Sequence, residues 1–428
     1  MNHIMEQVSK ELGSTSRRPL RIAMLGSRGF PHTYSGYEVF ISEVAPRLAS
    51  RGHEVIVYCR SSLFQERPKT CKGVQLIYLP SIETKVLGTP THTLVSMFDV
   101  LFRRVDVIFV VNLVNSLHCI LPRVLGKNVA INVDGLDWKR DKWGKLGKTY
   151  FYLNAKFVGR ICPKGVVTDA REMQRIYREQ FSTQSACIAY GAHIEKASNP
   201  SVVRKYGLEP FQYYLILSRM VPENNADLIV RAFERLRTSR VLAIAGDANY
   251  RSAFVDRLKQ TSDRRVRFIG HIGNPDHVKE LHCNAYAYLH GHSIGGTNPS
   301  LLTALGSGNC VLALNTPFNA EVLQDYGILF ERDPLDLAAK LQHVEDRPDV
   351  AAEYRARAPL RIREAYTWDK VTEQYEEFFL QLAAGEDPTR VHSSLIPSPA
   401  IDREAIPAFV GASATLEMAV SRDNLPHK

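Results

Sequence analysis

The feature that most constrains this chain is a pattern that occurs twice: a short apolar run, a polar glycine-rich loop, and a segment of helical spacing. In the first half, the run RIAMLG precedes the loop SRGFPHTYSGYE, helical spacing from Val39 to Leu48 and a second run, HEVIVYCR. This order predicts a strand–loop–helix–strand unit, which opens a doubly wound parallel sheet. Further strands of this sheet are predicted at residues 74–79, 105–111, 129–133 and 165–168.

The pattern restarts after a polar stretch near residues 195–210. There the run YYLIL precedes the loop SRMVPENN and a helix, and the runs VLAIAGD, RVRFIGHI, AYAYLHG and CVLAL alternate with helical segments. Because 428 residues exceed what one hydrophobic core usually organises, we expect two α/β domains. The predicted bounds are 20–195 for the first domain, 196–366 for the second and 367–384 for a C-terminal helix. Composition predicts disorder for residues 1–19 and 385–428.

Cysteine content and charge narrow the class of protein. Seven scattered cysteines without a C-x-x-C pair favour reduced thiols over disulfides or a zinc site. The chain shows neither the apolar core of a signal peptide nor a run long enough to span a membrane, so a cytoplasmic location is expected. Residues 20–190 hold 24 Lys and Arg against 13 Asp and Glu, whereas residues 191–428 hold 27 against 30. The basic first half indicates an anionic partner, such as nucleic acid, lipid or a phosphorylated acceptor, or only a solubilising surface.

Two loops at predicted strand ends suit phosphate groups, since ligands of open α/β sheets bind at the carboxyl ends of the strands. Gly26 and Gly29 do not form a dinucleotide fingerprint and are explained by a tight turn. Gly36, by contrast, stands directly before a helix, where backbone N–H groups can meet an anion. Arg219 follows the first strand of the second domain and can bind a diphosphate through two hydrogen bonds, although a surface ion pair is the alternative.

The other two loops carry a carboxylate and a second phosphate motif. Asp134 ends a predicted strand, so its carboxylate is expected in the ligand-binding crevice at the strand ends, unless it caps the next turn. Trp138 and Trp143 follow among basic residues. An RNA-binding interpretation of that mixture lacks a recognisable module. The loop at residues 290–298 is glycine-rich and precedes a helix near Pro299, which predicts an anion site at the helix N-terminus. Two histidines stand two positions apart in this loop, but no third metal ligand accompanies them, so we predict a metal-independent protein.

In combination these stretches resemble family 4 glycosyltransferases of the GT-B fold, and among them the rhamnosyltransferase-type enzymes of bacterial surface polysaccharide (exopolysaccharide) assembly. The likeness is carried by GSRGFPHTYSGYEVF, NVDGLDWKRDKWG, SRMVPENNADLIVRAF and GHSIGGTNPSLLTALGSG, over about residues 20–330. It implies two facing Rossmann-like domains and a last helix that crosses back to the first domain. It further implies a nucleotide diphospho-sugar donor in the second domain, a polyprenyl-diphosphate-linked or saccharide acceptor at the first, and transfer with retention of configuration. The donor expected from this likeness is dTDP-L-rhamnose, with no cofactor.

The resemblance also assigns residues by their positions in these motifs. The catalytic residues it implies are Asp134 and Arg219. The donor-binding residues it implies are Gly36, Asn224, Asn225, Gly270, His271, Ile272, Gly295, Gly296, Thr297, Asn298, Pro299, Ser300 and Thr303. On the acceptor side we expect Tyr37, Glu38, Trp138, Arg140 and Trp143.

The chain departs from the family at the pair of glutamates that lie eight positions apart near the last loop. Gly295 and Thr303 stand there instead, and a threonine offers the ribose one hydroxyl where a glutamate offers two charged oxygens. This departure keeps a second function open, a non-catalytic nucleotide-sugar-binding or scaffolding subunit. A dinucleotide-dependent oxidoreductase is a distant third, because no G-x-G-x-x-G follows the first strand.

The basic excess of the first domain predicts peripheral binding to the anionic inner face of the cell membrane. Its expected contacts are Lys139, Arg140 and Lys142 beside the tryptophans, together with the segment LVSMFDVLFRR, which is apolar with a basic end.

Overall fold

The computed structural model describes residues 18–31, 35–84, 87–140, 143–246 and 253–391. Within these residues the first sheet has eight strands, in the order β3-β4-β2-β1-β5-β6-β7-β8, and all neighbours are parallel except β3 and β4. The strands are β1 (Arg21–Leu25), β2 (Glu54–Arg60), β3 (Thr70–Cys71), β4 (Val74–Leu79), β5 (Val107–Val111), β6 (Val129–Val133), β7 (Val166–Thr168) and β8 (Ala186–Cys187).

The second sheet has six strands within the described residues, all parallel, in the order β11-β10-β9-β12-β13-β14. The strands are β9 (Tyr213–Leu217), β10 (Val241–Ala245), β11 (Val266–Gly270), β12 (Ala287–His290), β13 (Cys310–Leu314) and β14 (Ile328–Phe330). Central strands such as β5 and β13 are apolar and buried along their whole length, as expected when helices cover both faces of a parallel sheet.

Helices connect the strands and cover the sheets. In the first domain they are α1 (Gly36–Ser50), α2 (Gly88–Leu101), α3 (Ile120–Val124), α4 (Lys145–Ile161) and α5 (Arg171–Phe181). In the second they are α6 (Ala226–Phe233), α7 (Ala253–Leu258), α8 (Pro275–Cys283), α9 (Pro299–Gly306), α10 (Pro317–Leu323), α11 (Pro334–Asp346) and α12 (Pro348–Arg361). The last two are α13 (Trp368–Ala383) and α14 (Pro388–Val391).

Helix α13 returns to the first domain and completes its core. The ring of Tyr375 lies 4.8 Å from Phe40 of α1 and 5.4 Å from Phe109 of β5, measured between ring centroids. Arg51 Nη1 lies 2.6 Å from a carboxylate oxygen of Glu376, which fixes the solvent side of the same contact. The other face of the first sheet is covered by α2, α4 and a 3₁₀ helix, Leu113–Cys119.

The predicted fold class is therefore confirmed: two Rossmann-like domains with parallel sheets and a C-terminal crossover helix. Three short strands at the sheet edges, β3, β8 and β14, were not predicted, because two or three residues carry no readable period. Within the tail that we predicted to be disordered, the described residues include α14, whose Thr389 side chain is buried. Residues 1–17 and 392–428 lie outside the described residues.

Candidate active site

The carboxyl ends of the two sheets face each other and touch. A side chain added at Gly36, at the start of α1, would begin 3.5 Å from the ring of Pro299, at the start of α9. The hydroxyl of Thr297 donates a hydrogen bond to the backbone carbonyl of Asp169, which follows β7. The loops that the sequence singled out in each half therefore meet at one place.

Two helix N-termini converge at this contact. Asn298 caps α9 by accepting from the backbone N–H of Ser300 at 3.0 Å and from its hydroxyl at 2.8 Å. Gly36 opens α1 and presents no side chain toward the facing helix. Because the first N–H groups of a helix lack intrahelical partners and carry partial positive charge, this arrangement suits an anion.

Asp134 lies directly after β6 and is held by two tyrosines. The hydroxyl of Tyr190 donates to one carboxylate oxygen at 2.6 Å, and the hydroxyl of Tyr37 donates to the other. Burial raises the pKa of Asp134, while the two hydroxyl donors act in the opposite direction. Tyr37 was predicted on the acceptor side, and its hydroxyl contacts the carboxylate that was predicted to be catalytic. Tyr190 had not been singled out.

A second carboxylate, Asp169, lies at the end of β7 and faces the glycine-rich loop of the second domain. A side chain at Gly296 would overlap its carboxylate, so only glycine allows this approach. The residue is 2% exposed, and its Oδ1 atom has no hydrogen-bond partner among the described residues. Burial, followed by the charge of Asp134, raises the pKa of Asp169 well above its usual range. The negative charge of Asp134 therefore disfavours ionisation of Asp169.

Two arginines act on this loop. A side chain at Gly295 would begin 3.8 Å from Nη2 of Arg140, and Nε of Arg140 lies 3.7 Å from a carboxylate oxygen of Asp137. Burial, and then the charges of Arg219 and Arg140, lower the pKa of His292 to about 3. The imidazole is therefore neutral and leaves the positive charge of the two arginines undiminished. Arg140 had been predicted on the acceptor side, but its contacts place it beside the loop predicted to bind the donor.

The two asparagines predicted to bind the donor hold loops together. The side-chain amide of Asn224 donates to the carbonyl of Arg219 at 2.7 Å, and that of Asn225 donates to the carbonyl of Gly291 at 2.7 Å. Both residues are buried. Their described contacts thus fix the loop that carries Arg219 against the segment after β12.

The remaining predicted donor residues lie on the same edge of the second sheet. The hydroxyl of Thr303 donates to the carbonyl of Pro299 at 2.9 Å, one turn earlier in α9. Gly270 ends β11 with a φ of +76°, and His271 follows it on the exposed surface, with Ile272 half-buried. Because β9 to β12 are parallel, these residues and Arg219 belong to one rim.

The other predicted acceptor-side residues have structural partners. Glu38 is buried, and its carboxylate accepts from the backbone N–H of Arg28 at 2.9 Å and from the hydroxyl of Ser35.

Trp143 donates its indole N–H to Asp137 at 3.2 Å. The indole of Trp138 packs 5.6 Å from the ring of Phe181, and that of Trp143 packs 5.1 Å from the ring of Phe151. The two indoles are half-buried within the helical layer.

Glu321 of α10 joins the two halves beside the site. Its carboxylate accepts from the backbone N–H of Arg171 at 2.9 and 3.0 Å and from that of Glu172 at 3.4 Å, and so caps α5 of the first domain. Burial raises the pKa of Glu321, which the two N–H donors oppose. Next to this contact the second domain has a cavity of about 10 Å³ against Ile294, Gly296 and Phe318, which suffices for one water molecule.

Sequence reasoning missed Asp169, although it had the same signal as Asp134, an acidic residue directly after a predicted strand. For Glu321 and Tyr190 no such signal exists. In the part of the chain that the structure describes, no group of three or more His, Cys, Asp or Glu could hold a metal ion. No helix among those residues is long and apolar enough to cross a membrane.

Comparison with known proteins identifies relatives of both halves. Residues 212–346 match the family model described as glycosyl transferases group 1, and residues 93–193 match a domain of unknown function, DUF1972. No curated protein matches the whole sequence significantly.

Solved structures resemble the chain over most of its length. HepE of Anabaena, solved in complex with UDP, is 14% identical, covers 84% of this chain and 98% of its own, and has a TM-score of 0.66. Sucrose-phosphate synthase of Thermosynechococcus elongatus is 14% identical, covers 86% and 100%, and has a TM-score of 0.70. A glycosyltransferase of Rickettsia africae is 13% identical, covers 85% and 99%, and has a TM-score of 0.65. These likenesses show the GT-B fold, and the family match adds that residues 212–346 resemble glycosyl transferases group 1.

Proposed function

We propose that this chain is a metal-independent glycosyltransferase that moves a sugar from a nucleoside diphosphate donor to a lipid-linked or saccharide acceptor, with retention of configuration. The observation that supports this most is the meeting of two helix N-termini, at Gly36 and Pro299. The loop before Pro299 adds positive charge, because its Gly295 lies next to Arg140 and its His292 is affected by the charge of Arg219. Such a set of donors suits the two phosphates of the leaving group.

The electrostatic part of the mechanism falls to the arginines and the helix ends. As the bond between the sugar and the diphosphate breaks, negative charge grows on the leaving oxygen. Preorganised donors at that position stabilise the transition state more than the bound substrate. Arg219 would act from the second domain and Arg140 from the first, so that full charge compensation requires closure. Arg140 would supply the second cation to the diphosphate.

The carboxylate pair suits the other half of the reaction. Asp134, which accepts hydrogen bonds from Tyr37 and Tyr190, would position the acceptor hydroxyl or stabilise positive charge on the donor sugar. The buried Asp169, whose pKa is raised well above its usual range, would in its protonated form donate a hydrogen bond to the donor.

The finer assignment rests on the resemblance to rhamnosyltransferase-type enzymes. On that basis we propose L-rhamnose as the sugar, dTDP-L-rhamnose as its donor, and a polyprenyl-diphosphate-linked acceptor in the synthesis of a surface polysaccharide. The reaction would take place in the cytoplasm at the inner face of the membrane.

One titration series tests the class of function. Binding of dTDP, UDP, GDP and NAD to the purified protein is measured by calorimetry, alongside donor turnover with the matching nucleotide-sugars. We expect one nucleoside diphosphate to bind and its sugar conjugate to be consumed; Arg219→Ala should weaken both. The back-bonded hydroxyl of Thr303 favours the second candidate, a binding subunit, which would bind the nucleotide without turnover. Binding of NAD alone would refute both.

A further inference from the structure

Exposed apolar side chains are concentrated in one part of this protein. Within the described residues, 20 large apolar residues are more than a third exposed, and 14 of them lie between residues 87 and 157. Single exposed apolar residues are ordinary on a soluble protein, but a contiguous group of this size indicates an interaction surface.

These residues share one surface, the outer side of the helical layer on one face of the first sheet. The 3₁₀ helix Leu113–Cys119 contacts both α2 and α4 and continues directly into α3. We call the outer side of these four helices the apolar-basic face. Its exposed apolar residues are Leu94, Val95, Phe98, Phe102, Leu117, Ile120, Leu121, Val124, Leu125, Leu146, Tyr152, Leu153 and Phe157.

The inner side of the same helices already has its core. On α2, Met97 and Val100 are buried against the sheet, whereas Phe98 is 52% exposed and Phe102 is 90% exposed. Val124 at the end of α3 is 77% exposed and Leu146 at the start of α4 is 90% exposed. The exposed side chains are therefore a second apolar stripe, beyond what packing on the sheet requires.

Positive charge accompanies this stripe. Residues 88–164 contain twelve Lys and Arg against five Asp and no Glu. Among the described acids, Asp99 pairs with Arg103 at 2.5 Å and Asp134 is held by tyrosines. Exposed basic residues directly flank the exposed apolar ones, at Arg104, Arg123, Lys145, Lys156 and Arg160.

We propose that the apolar-basic face docks this protein onto an anionic lipid bilayer. Apolar side chains at the depth of the headgroups, with lysines and arginines extending to lipid phosphates, form the pattern of a surface-bound membrane protein. The membrane contact that the sequence predicted differs in part from this face. Arg140 lies beside Gly295 in the cleft, and Lys142 lies outside the described residues. The segment LVSMFDVLFRR, already expected from the sequence, lies on α2, and the surface extends from it to α3 and α4.

This inference deepens the proposed function and rests on it only for the acceptor. Leu146 follows the loop from Asp134 to Arg140 by six residues, so docking brings the cleft edge near the bilayer. A lipid-linked acceptor would then reach the first domain without leaving the membrane.

Co-sedimentation with vesicles tests the face directly. The full chain is mixed at about 0.1 M salt with vesicles of phosphatidylglycerol and phosphatidylcholine, or of phosphatidylcholine alone. One variant carries Phe102→Ser, Val124→Ser and Leu146→Ser, and its matched control carries Ile82→Ser, Leu335→Ser and Leu360→Ser, which are exposed elsewhere. A charge variant carries Arg104→Glu, Arg123→Glu and Lys145→Glu, and its control carries Arg264→Glu, Arg332→Glu and Arg363→Glu, exposed residues of the second domain.

We expect the wild type and both controls to bind the anionic vesicles. The apolar variant should bind about 100-fold more weakly at every salt concentration, because it loses buried apolar area. The charge variant should bind anionic vesicles about 100-fold more weakly than the wild type at low salt, and this difference should shrink as salt rises. Unchanged nucleotide affinity in all four variants would show that they are folded.

Three results would overturn the proposal: no binding of the wild type to anionic vesicles, equal loss in a variant and its control, or a wild-type dimer in sedimentation velocity that the apolar variant converts to a monomer. The last would make the face an interface between two copies. Because vesicle binding and nucleotide binding are separate readouts, failure of the transferase proposal would leave this result standing, and the converse also holds.

Discussion

Arg140 offers the sharpest test of the proposed donor site, because the resemblance placed it on the acceptor side. Its guanidinium lies beside Gly295 and acts, together with Arg219, on His292. If both arginines bind the diphosphate, Arg140→Ala should weaken the binding of dTDP or UDP although it lies in the other domain from the nucleotide.

The expected size follows from the environment of the side chain. A hydrogen bond to a charged group contributes about 1.5–3 kcal/mol. The Arg140 side chain is 23% exposed and already pairs with Asp137 at 3.7 Å, so part of its charge is compensated before the nucleotide binds. We therefore take the lower end, about 1.5 kcal/mol, which is roughly a tenfold increase in Kd. Arg140→Lys should lose less, since it keeps the charge but not the second hydrogen bond.

Calorimetry with the nucleoside diphosphate and the matching monophosphate measures this effect. The loss should be larger for the diphosphate, and Arg264→Ala, an exposed arginine far along the chain, serves as the control. If both side chains hold the same phosphates, the binding free energy lost in the double variant Arg140→Ala with Arg219→Ala should differ from the sum of the losses in the two single variants. A Kd for Arg140→Ala equal to that of the control would refute the two-arginine site.

Three further outcomes follow from the site. Turnover should survive EDTA, because arginines and helix ends meet the donor charge; loss of turnover that magnesium or manganese restores would contradict this. Thr303→Glu should tighten nucleotide binding by restoring a two-oxygen acceptor for the ribose, and equal or weaker affinity would mean that the ribose is held elsewhere. The pKa of Asp169 is raised in the native protein, so the native protein keeps a proton that the unfolded chain releases above about pH 4. The free energy of unfolding therefore falls as pH rises from about 4 toward the raised pKa of Asp169. Asp169→Asn does not lose stability in this way, so the difference in Tm between this variant and the wild type should grow from pH 5 to pH 8 in thermal melts. A constant difference in Tm would show that Asp169 is ionised in the native state.

Sequence periodicity was sufficient for the architecture. The central strands β5 and β13 are continuous apolar runs, and apolar runs followed by a loop and a helix recur along the chain, so the order of the elements predicts a doubly wound topology. The position of Asp134 at a cleft edge also followed from the sequence, because the end of an apolar run locates the end of a strand.

The composition of the site could not be read in this way. The closeness of Arg140 to Gly295, and of Asp169 to Gly296, depends on how two domains meet, and no local period encodes that contact. The indoles of Trp138 and Trp143 have contacts that their residue types did not predict: their rings pack against Phe181 and Phe151 within the helical layer of the first domain. Their place on the acceptor side stays a prediction.

The cap that Glu321 provides to α5 means that one helix end belongs to both domains. If the two domains separate, the backbone N–H groups of Arg171 and Glu172 lose this acceptor and become accessible to solvent. Hydrogen–deuterium exchange at these two amides would therefore report an opening of the cleft, without any label in the site itself. A ligand that holds the two domains together should slow their exchange.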